Sequence, residues 1–179
     1  MITPLCPYNL NAVNEFRRQN IDELTRQLGQ KTDLNPLNQA HAKFNIQLVS
    51  QLIRYRENAL PSIKNIIEKS KDEKQICEAL FTLDRMIENN VKGIKNLYPT
   101  LSKLNNTNSP NIQVYLAGIY RKTLIPDAFG PLCKMLIRNS IQPQIETSEF
   151  DATEEIGGAI LDYLRAKGAV HFYSQNEIK

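Results

Sequence analysis

The chain contains 179 residues, of which 41% are hydrophobic and 23% are charged, and its formal net charge is +3. This composition is typical of one globular domain and argues against a disordered or membrane-embedded chain. A net charge this small does not by itself indicate nucleic acid as a ligand. No apolar run approaches the roughly 20 residues of a bilayer span, and residues 1–9 lack the pattern of a secretory signal. We therefore expect one domain, residues 1–179, that lies in the cytoplasm and has no membrane partner.

The cysteines also agree with a location in the cytoplasm. Cys6, Cys77 and Cys133 are an odd, widely spaced set without CxxC spacing, so a disulfide scaffold is not expected. Cys77 and Cys133 fall inside apolar helical patterns, where a free thiol behaves as a small hydrophobic side chain.

Apolar residues recur at helical spacing through most of the chain, whereas strands are hard to place. The first helix is predicted from Leu10 to Leu28, with Gly29 as its left-handed C-cap. The second is predicted from Leu37 to Asn58 and is apolar on more than one side. Together they form an N-terminal helical cap, residues 1–58.

Three further helices are predicted in the middle of the chain. A short one covers Leu60 to Ser70, with Pro61 in its first turn, where the missing N–H costs nothing. Ser70 and Glu73 have capping-box spacing, which predicts a helix that begins there and runs through Asn89. A third helix is predicted from Lys92 to Leu104.

The Ser109-Pro110 pair predicts an N-cap followed by proline at the first helical position, opening a helix to about Lys122. Another helix is predicted from Asp127 to Asn139, followed by an irregular connection over residues 140–150.

The last predicted helix begins at Asp151 and Glu154, which again have capping-box spacing. It ends after Lys167, where Gly168 terminates it. Residues 169–179 form a C-terminal tail.

The middle of the sequence is internally similar. A shift of 38 residues aligns one predicted helix-turn-helix unit with the next, and a third copy runs from Pro131 and resumes at Glu155 after an insertion of about ten residues. The aligned positions are Pro61 with Pro99, Ile63 with Leu101, Ile66 with Leu104, Gln75 with Gln113, Ile76 with Val114 and Ala79 with Ala117.

A proline in the first helix, a short polar turn and a small residue in the second helix resemble the HEAT-like α-helical repeat family. The resemblance implies an all-α fold, in which residues 60–168 form a short right-handed α-solenoid of HEAT-like helix pairs behind the N-terminal helical cap. The chain departs from the family pattern because it lacks the Asp and Arg that often mark the turn and second helix. The alternative is an irregular helical bundle with chance internal similarity.

The sequence carries little catalytic equipment. His41 and His171 are the only histidines, and the spacings of zinc, phosphate-binding and serine-hydrolase motifs are absent. Glu154 and Glu155 begin a predicted helix, where negative charge favours capping over catalysis. We therefore expect no catalytic residue, no metal, no cofactor and no enzymatic activity. A repeat-based enzyme such as a lyase or glycosylase remains an alternative.

The charged residues are distributed unevenly. Between residues 91 and 138 there are seven bases and one acid, Asp127, whereas residues 145–164 contain six acids and no base. The bases are Lys92, Lys95, Lys103, Arg121, Lys122, Lys134 and Arg138, and the acids are Glu146, Glu149, Asp151, Glu154, Glu155 and Asp162. One interpretation is that the two segments pair internally. The other is that the seven bases bind an acidic protein partner.

Since stacked helix pairs leave an extended surface free, the resemblance implies a non-catalytic protein-interaction or scaffold module. Nucleic-acid binding is the alternative, because certain DNA glycosylases are built from HEAT-like repeats and grip phosphates with basic residues. Tyr115 and Tyr120 could stack on bases, but they lie at helical core spacing and core packing explains them better.

Overall fold

The computed structural model describes residues 10–30, 44–141 and 152–168, and every regular element in these ranges is helical. The all-α prediction is confirmed for them. Several predictions fall outside the described residues, namely those for Cys6, His41, most of the 140–150 connection, Asp151, and the tail with His171.

Eight α-helices are found in the described ranges. They are α1 (Leu10–Arg26), α2 (Ile46–Arg54), α3 (Leu60–Lys69), α4 (Glu73–Glu88), α5 (Tyr98–Leu101), α6 (Pro110–Thr123), α7 (Phe129–Ile141) and α8 (Ala152–Ala166). Short 3-10 helices cover Arg56–Ala59, Ile94–Leu97, Ser102–Leu104 and Pro126–Ala128.

Both glycines predicted to follow helices have left-handed backbones, but α1 ends at Arg26 rather than Leu28 and α8 at Ala166 rather than Lys167. The second helix is also shorter than predicted. Gly29 and Gly168 have φ values of 79° and 68°, which suit glycine just beyond a helix. Helix α2 begins only at Ile46, because Asn45 is its N-cap and accepts a hydrogen bond from Leu48 N at 3.1 Å. The chain then continues as a 3-10 turn rather than as α-helix to Asn58.

The predicted capping box at Ser70 and Glu73 is wrong. Asp72 caps α4 by accepting a hydrogen bond from Lys74 N at 2.9 Å. Ser70 has extended backbone angles, ends α3 and accepts from Asp72 N at 3.1 Å. Because Ser70 is the extended C-cap residue of α3, Asp72 takes the N-cap position of α4, where its carboxylate also interacts favourably with the positive end of the helix dipole.

The predicted helix from Lys92 to Leu104 is also wrong as one continuous element. Gly93 takes a left-handed conformation with φ 84°, and the chain then forms a 3-10 turn, α5 and a second 3-10 turn. Pro99 lies in the first turn of α5, where its missing N–H is tolerated.

Further along, Ser109 is the predicted N-cap and accepts a hydrogen bond from Ile112 N at 3.3 Å. Helix α6 ends at Thr123, one residue beyond the predicted end. Helix α7 begins two residues later than predicted and reaches Ile141, so Ser140 and Ile141 are helical rather than part of the connection.

The helices pack in a regular order. Helix α2 packs on α4, α4 on α6, and α6 on α8. Helix α1 also packs on α3, and α3 on α5. Consecutive helices also pack together, α1 on α2, α3 on α4 and α7 on α8.

One apolar core connects these helices. Leu52, Leu80, Leu116 and Ile156, from α2, α4, α6 and α8, are each 0% exposed and belong to the same cluster. Ala79, Ala117 and Ala159, the small residues of the predicted repeat, are fully buried. Cys77 is buried and Cys133 half-buried, and neither forms a disulfide. Of the two tyrosines predicted to pack in the core, Tyr120 is fully buried, whereas Tyr115 is partly exposed and packs against the core from outside.

A buried carboxylate joins three of the helices. Glu78 of α4 is 2% exposed. Its Oε2 accepts a hydrogen bond from Gly29 N, just after α1, at 2.5 Å, and its Oε1 accepts from Asn45 N, just before α2, at 2.7 Å. Glu78 therefore fixes the end of α1 and the beginning of α2 against α4.

Candidate functional site

The outward sides of three packed helices form one surface, which we call the α4–α6–α8 face. It is defined by Phe81 and Arg85 of α4, Tyr115 and Arg121 of α6, and Asp162 of α8, all partly exposed. Phe81 and Arg85 are one helical turn apart, so both project on the same side of α4. The core residues Leu80 and Leu83 point inward beside them.

Three aromatic rings meet at one end of this face. Phe44 stacks on Phe81 with ring centroids 4.7 Å apart, and Tyr115 lies edge-on to them at 5.5 and 6.1 Å. The Arg85 guanidinium lies 5.1 Å from the Phe81 centroid, a cation–π distance. Partly exposed aromatic and arginine side chains of this kind are enriched among residues that dominate the energy of protein interfaces.

Arg121 links α6 to α8 through an ion-pair network. Its Nε donates to Asp162 Oδ2 at 2.5 Å, and its Nη1 lies 3.6 Å from Glu155 Oε1. Asp162 also accepts from Arg165 at 2.8 Å. Arg121 is therefore paired with two residues of the acidic segment.

Lys122 links α6 to α4 instead. Its Nζ donates to Asp84 at 2.7 Å and to Glu88 at 2.7 Å. Arg85 pairs with the same two carboxylates, at 3.1 Å and 2.7 Å. The cations of these two networks are therefore matched by an equal number of acids, and the face carries little net positive charge.

These contacts shift the titration of the groups involved. The hydrogen bond with Arg121 lowers the pKa of Asp162 and raises the pKa of Arg121. Burial lowers the pKa of Lys122, but hydrogen bonds to Asp84 and Glu88 outweigh it and the pKa is raised. The Lys122 hydrogen bond lowers the pKa of Glu88.

Asp162 and Glu88 predict an acid-dependent loss of stability. A carboxyl group whose pKa is lower in the folded state stabilises the fold above its unfolded pKa of about 4, and this stabilisation is lost as the pH falls through the folded pKa. We expect the urea concentration at the midpoint of unfolding to decrease as the pH is lowered below about 5. The double variant Arg121→Gln with Lys122→Gln removes the cations that pair with these carboxylates. Its urea midpoint should therefore depend less steeply on pH. Lys95→Gln with Lys134→Gln is the control, and an equal slope in all three proteins would contradict the prediction.

The other predicted basic residues do not join these networks. Lys103 donates to Glu68 at 2.9 Å, and this hydrogen bond lowers the pKa of Glu68. Arg138 donates to the carbonyl oxygens of Asn105 and Thr107, at 3.4 and 2.9 Å. Both side chains therefore connect neighbouring parts of the fold.

Lys92, Lys95 and Lys134 are exposed. The backbone N–H of Lys92 donates to Glu57 Oε1 at 2.9 Å, and this hydrogen bond lowers the pKa of Glu57. The seven bases are thus spread over paired and unpaired positions rather than gathered in one patch. Of the predicted acids, Glu146, Glu149 and Asp151 lie outside the described residues.

Sequence reasoning missed the aromatic group. Phe81 lies among the many apolar residues of its predicted helix, so nothing in the sequence distinguished it from core residues. Phe44 lies in a different segment, 37 positions earlier. The available signal was the Phe81–Arg85 spacing, which places an aromatic ring and a guanidinium on adjacent turns.

The described residues contain no group of three His, Cys, Asp or Glu side chains placed to hold a metal ion. None of their helices is long and apolar enough to cross a bilayer. No family model, curated protein or solved structure matches this chain.

Proposed function

We propose that this chain is a non-catalytic protein-interaction module whose α4–α6–α8 face contacts a protein partner. The observation that carries the proposal is the aromatic group of Phe44, Phe81 and Tyr115 beside Arg85, partly exposed on a face of packed helices. Large rigid rings bury apolar area at a small cost in conformational entropy. The planar Arg85 guanidinium, held in place by Asp84 and Glu88, adds contact area beside the Phe81 ring.

The architecture we propose is a short right-handed α-solenoid of HEAT-like helix pairs. The packing order of α2, α4, α6 and α8 supports it, as does the recurrence of contacts at one sequence separation. Asn111 donates to Glu73, Lys122 to Asp84, and Tyr163 to the Ile125 carbonyl, and each pair is 38 residues apart. An experimental structure in which α3–α4 and α5–α6 fail to superpose after this shift would contradict it.

A protein ligand fits this face better than nucleic acid does. Binding to nucleic acid depends on lysine and arginine side chains that are free to neutralise phosphates, which releases the counterions condensed on the nucleic acid. Arg121 and Lys122, which would have to contact phosphates here, are already held by Asp162, Glu155, Asp84 and Glu88.

The test is affinity capture from native lysate, with bound protein and nucleic acid both identified by mass spectrometry. We expect Arg85→Ala with Tyr115→Ala to reduce recovery of the captured proteins by about tenfold or more, because both side chains are interface anchors. Lys92→Glu with Lys95→Glu tests the exposed bases predicted from sequence. Circular dichroism checks that both variants are folded.

Unchanged capture by the Arg85 and Tyr115 variant would overturn the proposed face. If capture depends on Lys92 and Lys95 instead, the basic segment is the contact surface. Recovery of nucleic acid alone, with a steep loss on adding salt, would favour the nucleic-acid alternative.

A further inference from the structure

A polar groove of about 930 Å³ lies between α1 and α3, away from the α4–α6–α8 face. Its lining includes Arg17, Arg18 and Arg26 of α1 and the carboxamides of Asn14, Asn58 and Asn65. Ile21 and Ile66 contribute apolar surface to it. The groove therefore combines positive charge, hydrogen-bonding groups and apolar contact.

The charge of this groove is available to a ligand. Arg17 and Arg18 are exposed and form no ion pair with a described residue, whereas Arg26 pairs with Glu23 at 2.9 Å. One lining acid, Asp22, accepts a hydrogen bond from Ser62 Oγ at 2.6 Å and so connects α1 to α3. Because Glu23 offsets the charge of Arg26, the net positive charge of the lining comes from Arg17 and Arg18, which outnumber the single lining acid, Asp22.

The dimensions and chemistry of the groove favour an extended peptide. From Asn14 to Arg26 the helix rises about 18 Å at 1.5 Å per residue. An extended chain covers this length with about five or six residues at 3.3 Å each. Carboxamides both donate and accept, which matches a peptide backbone. None of the described residues that line the groove is aromatic, and single-stranded nucleic acid typically requires aromatic side chains for base stacking.

We propose that the groove between α1 and α3 binds an extended acidic peptide segment. Arg17 and Arg18 pair with its carboxylates through forked hydrogen bonds, and Asn58 and Asn65 bind its backbone. This site is separate from the α4–α6–α8 face, and its test does not depend on that face.

The test is fluorescence anisotropy with the full chain and a labelled six-residue peptide of alternating Glu and Ser. We expect saturable binding that weakens with salt, and a loss of about tenfold or more in Arg17→Glu with Arg18→Glu, because like charges repel. The matched control is Lys95→Glu with Lys134→Glu, which changes the net charge equally at exposed positions outside the groove. Asn65→Ala should weaken binding without changing its salt dependence.

Several results would overturn the proposal. They are absence of binding at millimolar protein, equal losses in the two charge-reversal variants, and tighter binding of an equally long thymidine oligonucleotide or of pyrophosphate. Because the exposed Arg17 and Arg18 contribute no buried contact, circular dichroism and the thermal midpoint should match those of the parent chain. A loss of binding without a loss of structure therefore supports the groove as the site.

Discussion

Replacing Glu78 by alanine should lower the free energy of unfolding by about 3 kcal/mol, because hydrogen bonds to charged groups contribute roughly 1.5–3 kcal/mol each. The Glu78 carboxylate accepts from Gly29 N and Asn45 N while being 2% exposed. The alanine variant leaves both N–H groups without their acceptor and opens a void in the side of α4. Urea unfolding followed by circular dichroism measures the change.

Two further variants separate the hydrogen bonds from the helix itself. Glu78→Gln keeps the side-chain volume but has only one acceptor oxygen. Its free energy of unfolding should therefore lie between that of the parent chain and that of Glu78→Ala. Glu15→Ala, at an exposed position of α1, should change the free energy of unfolding by less than about 0.5 kcal/mol. A Glu78→Ala variant as stable as Glu15→Ala would contradict the assigned role.

Replacing Gly29 by alanine should lower the free energy of unfolding by about 2–3 kcal/mol, from left-handed strain together with a steric clash. Gly29 has φ 79°, and an added Cβ would lie 2.7 Å from both N and Cα of Gln75. These are backbone atoms of α4, so the clash cannot be relieved by rotating a side chain. The thermal midpoint and the urea midpoint should both fall.

Gly157→Ala is the matched control. Gly157 lies within α8, and an added Cβ there would meet nothing within 4 Å. Because alanine has the higher helix propensity, this variant should be neutral or more stable by up to about 1 kcal/mol. Equal destabilisation by the two substitutions would show that the Gly29 contact is not the cause.

Sequence reasoning located the helix ends best where one residue supplies the signal. Ser109 caps α6 because its hydroxyl accepts a hydrogen bond from a backbone N–H of the first turn. Gly29 and Gly168 follow α1 and α8 because glycine adopts a positive φ without a Cβ clash. The sequence did not show which of two neighbouring residues caps α4. Ser70 and Asp72 are both good N-cap residues, and which of them is the N-cap depends on where α3 ends. Sequence reasoning also missed the break after Gly93, which lies in an otherwise continuous helical pattern.

The candidate site was less predictable than the fold. The uneven charge distribution left internal pairing and partner binding as two interpretations, and Arg121, which pairs with Glu155 and Asp162, agrees with internal pairing. The charge distribution did not predict that Lys122 would pair with Asp84 of α4. Adjacent residues on a helix differ by 100°, so only the packed structure shows which neighbour each one meets.

The position of Glu78 has a consequence for how the chain can vary. The same carboxylate holds Gly29 and Asn45, which flank residues 31–43, so the two anchor points stay in place whatever lies between them. Lengthening a connection between fixed anchors costs little, about 0.6 kcal/mol for each doubling. Insertions and deletions in residues 31–43 should therefore accumulate among diverging versions of this chain, while Gly29 and Glu78 stay the same.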